Sequence, residues 1–269
     1  MSSVIKGPVG ILTDTTKCIG CRECVLACKR VNHLEAEVPR RWTMDDGLSA
    51  RNWTSIIERT GQEYVRKQCR HCLEPACVSV CPVGALQKTE LGAVVYDREK
   101  CMGCRYCMMA CPYGIPRYDW DKPVPYVNKC ILCYDRLLEG GQPACTEACP
   151  TEATIFGGRE ELLAEAWRRI HAEPDKYVPH VWGEHEVGGT SVLYISDIDL
   201  GFLHYGRPLE DRAMPKTTAP AMTAVPFAFI GMGGAMAGLH WIIRRRMERM
   251  GGGQPESDGL KDDGKQDEA

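Results

Sequence analysis

Apolar and polar residues are arranged in short periodic stretches along this chain, and several of these stretches predict regular structure. Residues 53–66 (WTSIIERTGQEYVR) predict two short strands around a turn at Thr60-Gly61. Residues 92–97 (GAVVYD) and 190–198 (TSVLYISDI) have the β-branched and aromatic content of strands. Residues 158–172 predict an amphipathic helix with acids early and arginines late, as the helix dipole favours. These elements indicate an α+β domain.

One apolar stretch near the C-terminus is much longer than the others. Residues 217–243 carry no formal charge over 27 positions, whereas about 20 such residues are enough for a helix to cross a bilayer. Arginines 244–246 end the stretch abruptly, and the rest of residues 244–269 predicts a disordered, acidic, glycine-rich tail. We therefore expect a transmembrane helix over residues 217–243, with a buried core helix as the alternative.

Composition adds one decisive observation, the number of cysteines. The net charge of −3 provides no basic surface for nucleic acid, and the 44% hydrophobic content is ordinary for a folded domain. The 16 cysteines, however, include triplets spaced two residues apart. Disulfide frameworks belong to short secreted domains, and zinc knuckles use separate C-x2-C pairs. Neither alternative fits the triplets.

The cysteines form four sets of four. Residues 101–112 (CMGCRYCMMACP) have the bacterial ferredoxin spacing C-x2-C-x2-C-x3-C-P, in which three thiolates bind one cluster and the fourth binds another. The first set repeats this spacing, while the second and fourth sets resemble each other and have longer middle spacings. The order A-B-A′-B′ predicts an internal duplication of a two-cluster unit. The sets are Cys18, Cys21, Cys24, Cys28; Cys69, Cys72, Cys77, Cys81; Cys101, Cys104, Cys107, Cys111; and Cys130, Cys133, Cys145, Cys149.

Sixteen cysteines divide into four [4Fe–4S] clusters with none left over. Because the fourth cysteine of each set crosses over, we assign nested ligand groups. Spacing also permits tandem pairing of the first set with the second and of the third with the fourth. The inner assignment is the stronger, since 19 residues separate Cys81 from Cys101 and 40 separate Cys28 from Cys69. The nested groups are group a (Cys18, Cys21, Cys24, Cys149), group b (Cys28, Cys130, Cys133, Cys145), group c (Cys69, Cys72, Cys77, Cys111) and group d (Cys81, Cys101, Cys104, Cys107).

Residues beside the cysteines predict differences among the clusters. Proline follows three of the fourth cysteines and ends the short helix there, whereas Lys29 stands at that place in the first set, which predicts a more exposed centre. His71 is expected beside a cluster, with ligation of iron as the less favoured alternative. Five basic residues either raise reduction potentials or form a solvated or docking face. They are Lys67, Arg70, Lys100, Arg105 and Lys129.

Other chemistry is missing from the sequence. No phosphate-binding or dinucleotide motif follows a strand, and no nucleophile with a base is visible. We expect a chain that conducts electrons without bond chemistry of its own. The expected divisions are an N-terminal segment (1–17), a duplicated four-cluster domain (18–157, with an insertion at 29–68), a helix, strand and linker extension (158–216), the transmembrane helix (217–243) and the tail (244–269).

The motifs together resemble a known family, the four-cluster iron–sulfur subunits of membrane-bound bacterial respiratory oxidoreductases. The resemblance covers residues 10 to about 200 and is carried by RKQCRHC, CVSVCPVGAL, CMGCRYCMMACPYGIPRYD and PACTEACPTEATIFGGREEL. It is greatest to the subunit of quinone-linked nickel–iron hydrogenases, and the formate dehydrogenase-N beta subunit is similar. The resemblance implies a ferredoxin-like fold, nested ligation, a catalytic hydrogenase or molybdenum/tungsten dehydrogenase partner, and a quinone-reactive or cytochrome b subunit in the lipid membrane.

This resemblance leaves open the direction of electron flow. The protein connects a dehydrogenase to the quinone pool, or serves a reductase that takes electrons from quinol. A free carrier would require that residues 217–243 lie outside the membrane. Within that span, Gly231, Gly234, Ala235 and Gly238 suit close helix packing, and His240 predicts a hydrogen bond to a partner helix or a quinone site, with haem ligation as the alternative.

The membrane side follows from the basic residues that flank the span. Arg244, Arg245, Arg246 and Arg249 outnumber Arg207, Arg212 and Lys216, which places the cluster domain outside the cytoplasm. The N-terminus has no twin arginine, and its apolar run is too short for a signal sequence. We therefore expect periplasmic export as the passenger of a partner, with a cytoplasmic domain as the alternative.

Overall fold

A computed structural model describes residues 7–34, 46–59, 61, 63–120, 123, 126–204 and 208–250. The described residues form two compact units, one ending at Thr218 and the other beginning at Ala219. Thr60 of the predicted turn and the part of the predicted disordered tail after Met250 lie outside the described residues.

Short strands and helices make up the first unit. The strands are β1 (Val9–Asp14), β2 (Thr54–Arg59), β3 (Glu63–Gln68), β4 (Leu86–Lys88), β5 (Val94–Tyr96), β6 (Arg117–Tyr118), β7 (Val127–Asn128), β8 (Thr154–Gly158) and β9 (Val192–Ile195). The helices are α1 (Glu23–Val31), α2 (Ala76–Ser79), α3 (Tyr106–Ala110), α4 (Tyr134–Leu138), α5 (Ala144–Glu147), α6 (Arg159–Ala172) and α7 (Met214–Arg249), the last of which continues into the second unit.

The stretches with clear periodicity have the predicted structure. Residues 53–66 contain β2 and the first four residues of β3, and the two strands pair in antiparallel register from Thr54 with Gln68 to Arg59 with Glu63. The predicted strands at 92–97 and 190–198 contain β5 and β9, and the amphipathic helix is α6. Strands β1 and β8 were not predicted, although β1 lies at the centre of the main sheet.

That sheet separates two packed regions of the first unit. Its order is β8-β1-β9, with β1 antiparallel to β8 and parallel to β9. Because successive side chains on a strand point to opposite faces, Ile11 packs in a core with Cys24 and Cys145, whereas Leu12 packs against Leu162 of α6. Cys24 and Cys145 therefore lie on one face of the sheet, and α6 covers the other.

Two glycines that pair across this sheet differ in the space that an added side chain would find. Gly10 of β1 pairs with Gly157 of β8, but a Cβ atom on Gly10 would clash with the backbone oxygen of Ser191. On Gly157 the nearest atom would be a leucine methyl at 3.5 Å. We expect Gly10→Ala to destabilise the fold by about 1–3 kcal/mol, because backbone cannot move aside easily. Thermal loss of the cluster absorbance measures this, and Gly157→Ala is the matched control, so equal effects would contradict the expectation.

Among the described residues, α7 is the one helix that is long and apolar enough to cross a membrane. It has 36 residues, begins before and ends after the predicted span of 217–243, and contains Pro220 and Pro226. Its large apolar side chains are exposed, Phe227 and Ile230 by 71% and 72%. Exposed apolar residues over this length are typical of a helix that a bilayer or other membrane helices cover.

Candidate iron–sulfur sites

Cys18 and Cys149 are brought to one end of the main sheet by the pairing of β1 with β8. Cys18 follows the end of β1, and Cys149 precedes the start of β8. Because the strands are antiparallel, with Thr13 opposite Thr154, these two ends coincide. The backbone N–H of Asp14 donates to the carbonyl oxygen of Ala153 at 2.7 Å and extends the pairing toward the cysteines. The first and last cysteine sets are therefore neighbours in space.

The four thiols of group a line one cavity, together with Arg66 and Thr151. Burial raises the pKa of Cys24 to about 11, and the nearby thiolates of Cys18 and Cys149 add to this rise. Cys21 is exposed, whereas Cys24 is buried. The cavity thus reaches the surface on one side.

The thiols of group b line a second cavity, and all four of these cysteines are buried. Burial raises the pKa of Cys28 to about 12, and the thiolates of Cys145 and Cys133 contribute. The expectation of a more exposed centre beside Lys29 is therefore wrong. Without a proline, α1 continues to Val31, and the side-chain amide of Asn32 lies 3.6 Å from the Cys28 sulfur.

The cysteines of groups c and d also lie close together within each group. Burial raises the pKa of Cys72, and thiolates of all its group c partners, Cys111, Cys69 and Cys77, raise it further. In group d, burial raises the pKa of Cys107 to about 11, with contributions from Cys104, Cys101 and Cys81. Four thiolates this close repel one another unless a cationic centre lies between them.

Backbone N–H groups point at several of these sulfurs. Ala85 N–H donates to the Cys81 sulfur at 3.2 Å, Leu132 N–H to Cys130 at 3.4 Å and Ile115 N–H to Cys111 at 3.5 Å. Although burial raises the pKa of Cys81, backbone hydrogen bonds outweigh burial and lower it. Such donors stabilise the thiolate, which is the ligating form, and all sixteen cysteines are free thiols. The residues therefore fit iron–sulfur clusters held by groups a to d, where a cluster would accept and release single electrons.

The four groups form a row. Cys24 of group a and Cys145 of group b lie in one packed cluster of buried residues, and Cys130 of group b lies in a second with Cys69 of group c. Group c in turn approaches group d, since Cys77 packs against the cluster that contains Cys107. The order in space is therefore a, b, c, d.

The basic residues that the sequence singled out divide into two kinds. Lys67, Arg70 and Lys129 are buried, whereas Lys100 and Arg105 are exposed. Lys67 pairs with Asp46 at 2.9 Å, and the Arg70 guanidinium stacks 3.8 Å from the ring centre of Tyr194. Lys129 donates to the carbonyl oxygens of Val94 and Cys130, and its charge counteracts the rise in the pKa of Cys77.

His71 is fully buried and lies between the candidate ligands Cys69 and Cys72 in the sequence. Its Nδ1 accepts the backbone N–H of Val94 at 2.9 Å, so this nitrogen is already engaged. Its Nε2 is buried without a hydrogen-bond partner among the described residues. Burial and the charges of Lys129 and Lys88 lower its pKa, which makes the ring neutral.

Arg66 was not singled out by the sequence, although it is the most enclosed charged residue beside the cysteines. It lies on β3 with 1% of its surface exposed, and it donates to the Cys145 sulfur at 2.9 Å. Burial alone would lower its pKa, but the thiolates of Cys145 and Cys24 raise it above the usual value. Its position three residues before Cys69, at the end of a predicted strand, carried no sign of a contact with Cys145, which is 79 positions away.

Comparison with known proteins identifies the same cofactor chemistry. A family described as "4Fe-4S dicluster domain" matches residues 60–159, and a "4Fe-4S binding domain" matches residues 15–32. The hydrogenase-2 operon protein HybA of Escherichia coli O157:H7 is 40% identical over 252 residues, which cover 79% of this chain and 74% of the relative. The protein belongs to the family of 4Fe-4S iron–sulfur proteins that includes HybA.

Other members of the family extend the likeness. The nitrate-inducible formate dehydrogenase iron–sulfur subunit of Escherichia coli K12 is 35% identical over 253 residues, 88% of this chain and 85% of the relative. The B subunit of the anaerobic dimethyl sulfoxide reductase of the same strain is 43% identical over 162 residues, 57% of this chain and 75% of the relative. As a member of this family, the protein binds [4Fe–4S] clusters and is an electron-transfer subunit of an oxidoreductase.

Proposed function

We propose that the protein carries electrons through four [4Fe–4S] clusters, held by groups a to d, between a catalytic subunit and a quinone-reactive or cytochrome b subunit in the membrane. The observation that carries this proposal is the row of four thiol groups, in which each group packs beside the next. Similarity to HybA and to the formate dehydrogenase subunit supports a hydrogenase or a molybdenum/tungsten dehydrogenase as the catalytic partner.

The two ends of the row are suited to contact other subunits. At group d, Met102 and Met109 are 66% and 85% exposed, and at group a Ile19 is 60% exposed. Group b, in contrast, is fully buried. Exposed apolar residues beside the two terminal groups support electron entry at one end and exit at the other.

The duplication is part of the same proposal. The paired positions Gly20 and Gly103 have φ angles of 70° and 75°, and Arg22 and Arg105, which follow them, have 63° and 67°. Non-glycine residues rarely adopt this left-handed conformation, so its recurrence supports a repeated unit. Helix α1 also packs on α5 as α2 packs on α3.

We also propose that the chain divides into residues 1–17, 18–157, 158–216, 217–243 and 244–269.

The membrane arrangement also belongs to the proposal. Helix α7 is the candidate single membrane anchor. The arginine excess at its C-terminal end supports a cluster domain on the periplasmic side, with the cytoplasmic side as the alternative. Its small residues and His240 would face a membrane subunit, where lipid and the partner's helices cover the remaining apolar side chains.

A second candidate function has the same row of clusters and the reverse direction. Electrons would run from quinol to a terminal acceptor on a molybdopterin reductase. The likeness to the B subunit of dimethyl sulfoxide reductase favours this alternative, although it covers a smaller part of the sequence than the likeness to HybA.

Chemical analysis of the purified complex tests the proposal. In anaerobic protein we expect about 16 iron atoms and about 16 acid-labile sulfides per chain, because each cluster contains four of each. Mild detergent should retain the largest partner, and its identification separates hydrogenase, formate dehydrogenase and reductase. Reduction of the clusters by the partner's substrate, followed by their reoxidation by added quinone, would establish the direction.

Two results would contradict the proposal. Values near twelve irons per chain would exclude the fourth cluster. Recovery of the native protein without any other subunit, under conditions that keep HybA-type complexes together, would favour a free carrier instead.

A further inference from the structure

Arg66 lies between the two cysteine groups at one end of the row. Its Nη2 donates to the Cys145 sulfur of group b at 2.9 Å, while its side chain lines the cavity formed by the thiols of group a. The β2–β3 hairpin holds it there, since Nε donates to the hydroxyl of Thr54 on the neighbouring strand at 3.2 Å and Nη2 also donates to Gln68. The guanidinium is therefore fixed by neutral groups and directed at sulfur.

The charge of Arg66 has no carboxylate to balance it among the described residues. A buried cation without a counter-charge is strongly unfavourable. Its Nη1 is buried without a protein partner in the described part of the chain. The anions within reach are the thiolates of groups a and b, so the charge and the unpartnered donor both fit ligated clusters at these groups.

We propose that the fixed charge of Arg66 raises the reduction potentials of both the cluster of group a and the cluster of group b. The proposal rests on the ligand groups proposed above. When such a cluster gains one electron from its neighbour in the row, its net charge becomes more negative by one, and no bond or proton is exchanged. A fixed cation in a dry environment favours that reduced state, and it acts on both clusters because it donates to a group b sulfur and lines the cavity of group a.

The neighbouring Lys67 does not share this arrangement. Its side chain pairs with Asp46, which also pairs with Arg117. Lys67 therefore has a carboxylate as its counter-charge, whereas Arg66 has only sulfur. This difference identifies Arg66 as the residue of the hairpin whose charge acts on the clusters.

Redox titration of the intact complex, followed by electron paramagnetic resonance, tests the proposal. We expect Arg66→Met to lower the potentials of the clusters of groups a and b so that the ratio of reduced to oxidised cluster falls at least tenfold at a fixed potential, which equals 59 mV for a one-electron couple. The clusters of groups c and d are internal controls and should keep their potentials. The signal of group a is identified by its loss in Cys149→Ala.

Two further variants separate charge from packing. Arg66→Lys keeps the charge and should retain most of the potential, although it lacks the forked donors. Arg159→Met removes another buried arginine, one that donates to the carbonyl oxygen of Thr190, and should leave groups a and b unchanged.

Three outcomes would overturn the inference. Unchanged potentials in Arg66→Met with four clusters present would remove the electrostatic role. Equal shifts in all four clusters would indicate general loosening, and loss of iron in both Arg66→Met and Arg66→Lys would assign the residue to cluster assembly. If the wild-type complex itself contains fewer than four clusters, the proposed function fails before this inference is reached.

Discussion

The double variant Cys101→Ala/Cys149→Ala is expected to damage two clusters, whereas Cys18→Ala/Cys149→Ala is expected to damage one. In nested ligation Cys149 belongs with Cys18 in group a, and Cys101 belongs to group d. The second variant therefore removes two ligands from a single cluster. It should lose about four irons per chain and leave three clusters intact.

The structural reason is the pairing of β1 with β8, which brings the segments that carry Cys18 and Cys149 to the same end of the sheet. Tandem ligation would instead join Cys149 to the third set, so that Cys101→Ala/Cys149→Ala would damage only one cluster. Iron analysis and the number of electron paramagnetic resonance signals distinguish the two patterns. Two damaged clusters in Cys18→Ala/Cys149→Ala would contradict the nested groups.

Removal of the apolar helix is expected to move the protein from the membrane to the soluble fraction. A variant truncated after Thr218 lacks nearly all of the 36-residue helix α7, and without it no described helix is long and apolar enough to cross a bilayer. The clusters should remain at about 16 irons per chain, because the described residues up to Thr218 form their own compact unit and contain all sixteen cysteines. Fractionation of cells that express this variant without other subunits measures the result.

A replacement of residues 217–243 by an alternating leucine–alanine helix of equal length is the matched control. This variant retains the anchor but lacks His240 and the glycine positions, so it should stay in the membrane. A truncated variant that still sediments with salt-washed membranes would show that the anchor lies elsewhere. If the control variant is expressed together with the other subunits and stays in the membrane without retaining them, the small residues and His240 are assigned to subunit contact.

The residues of the candidate sites were largely predictable because their chemistry depends on the spacing of cysteines along the sequence. Triplets of cysteines two residues apart place three thiolates around one cluster whatever surrounds them. The β2–β3 hairpin and α6 were likewise predictable, since each has an uninterrupted periodic pattern. Strand β1 was not, because it is buried on both faces and so lacks the alternation that marks a half-buried strand.

The contacts between distant residues needed the fold. Spacing alone did not give the order of the proposed groups in space, in which group d, with three cysteines of the run Cys101–Pro112, lies at an end. The prediction of a more exposed centre beside Lys29 was wrong for a similar reason. Residues that lie far from Cys28 in sequence enclose it, among them Trp53, Pro143 and Leu132.

By itself the sequence determined the residue types that bind iron, their local spacing, the iron–sulfur chemistry and the presence of the apolar helix, because each depends on neighbours within a few positions. Tertiary structure decided which sets meet, in what order they follow one another, and that Arg66 lies beside two of them. These properties depend on the antiparallel pairing of β1 with β8 and on the hairpin, which join residues up to 149 positions apart. No periodicity in a single sequence encodes pairing over such distances.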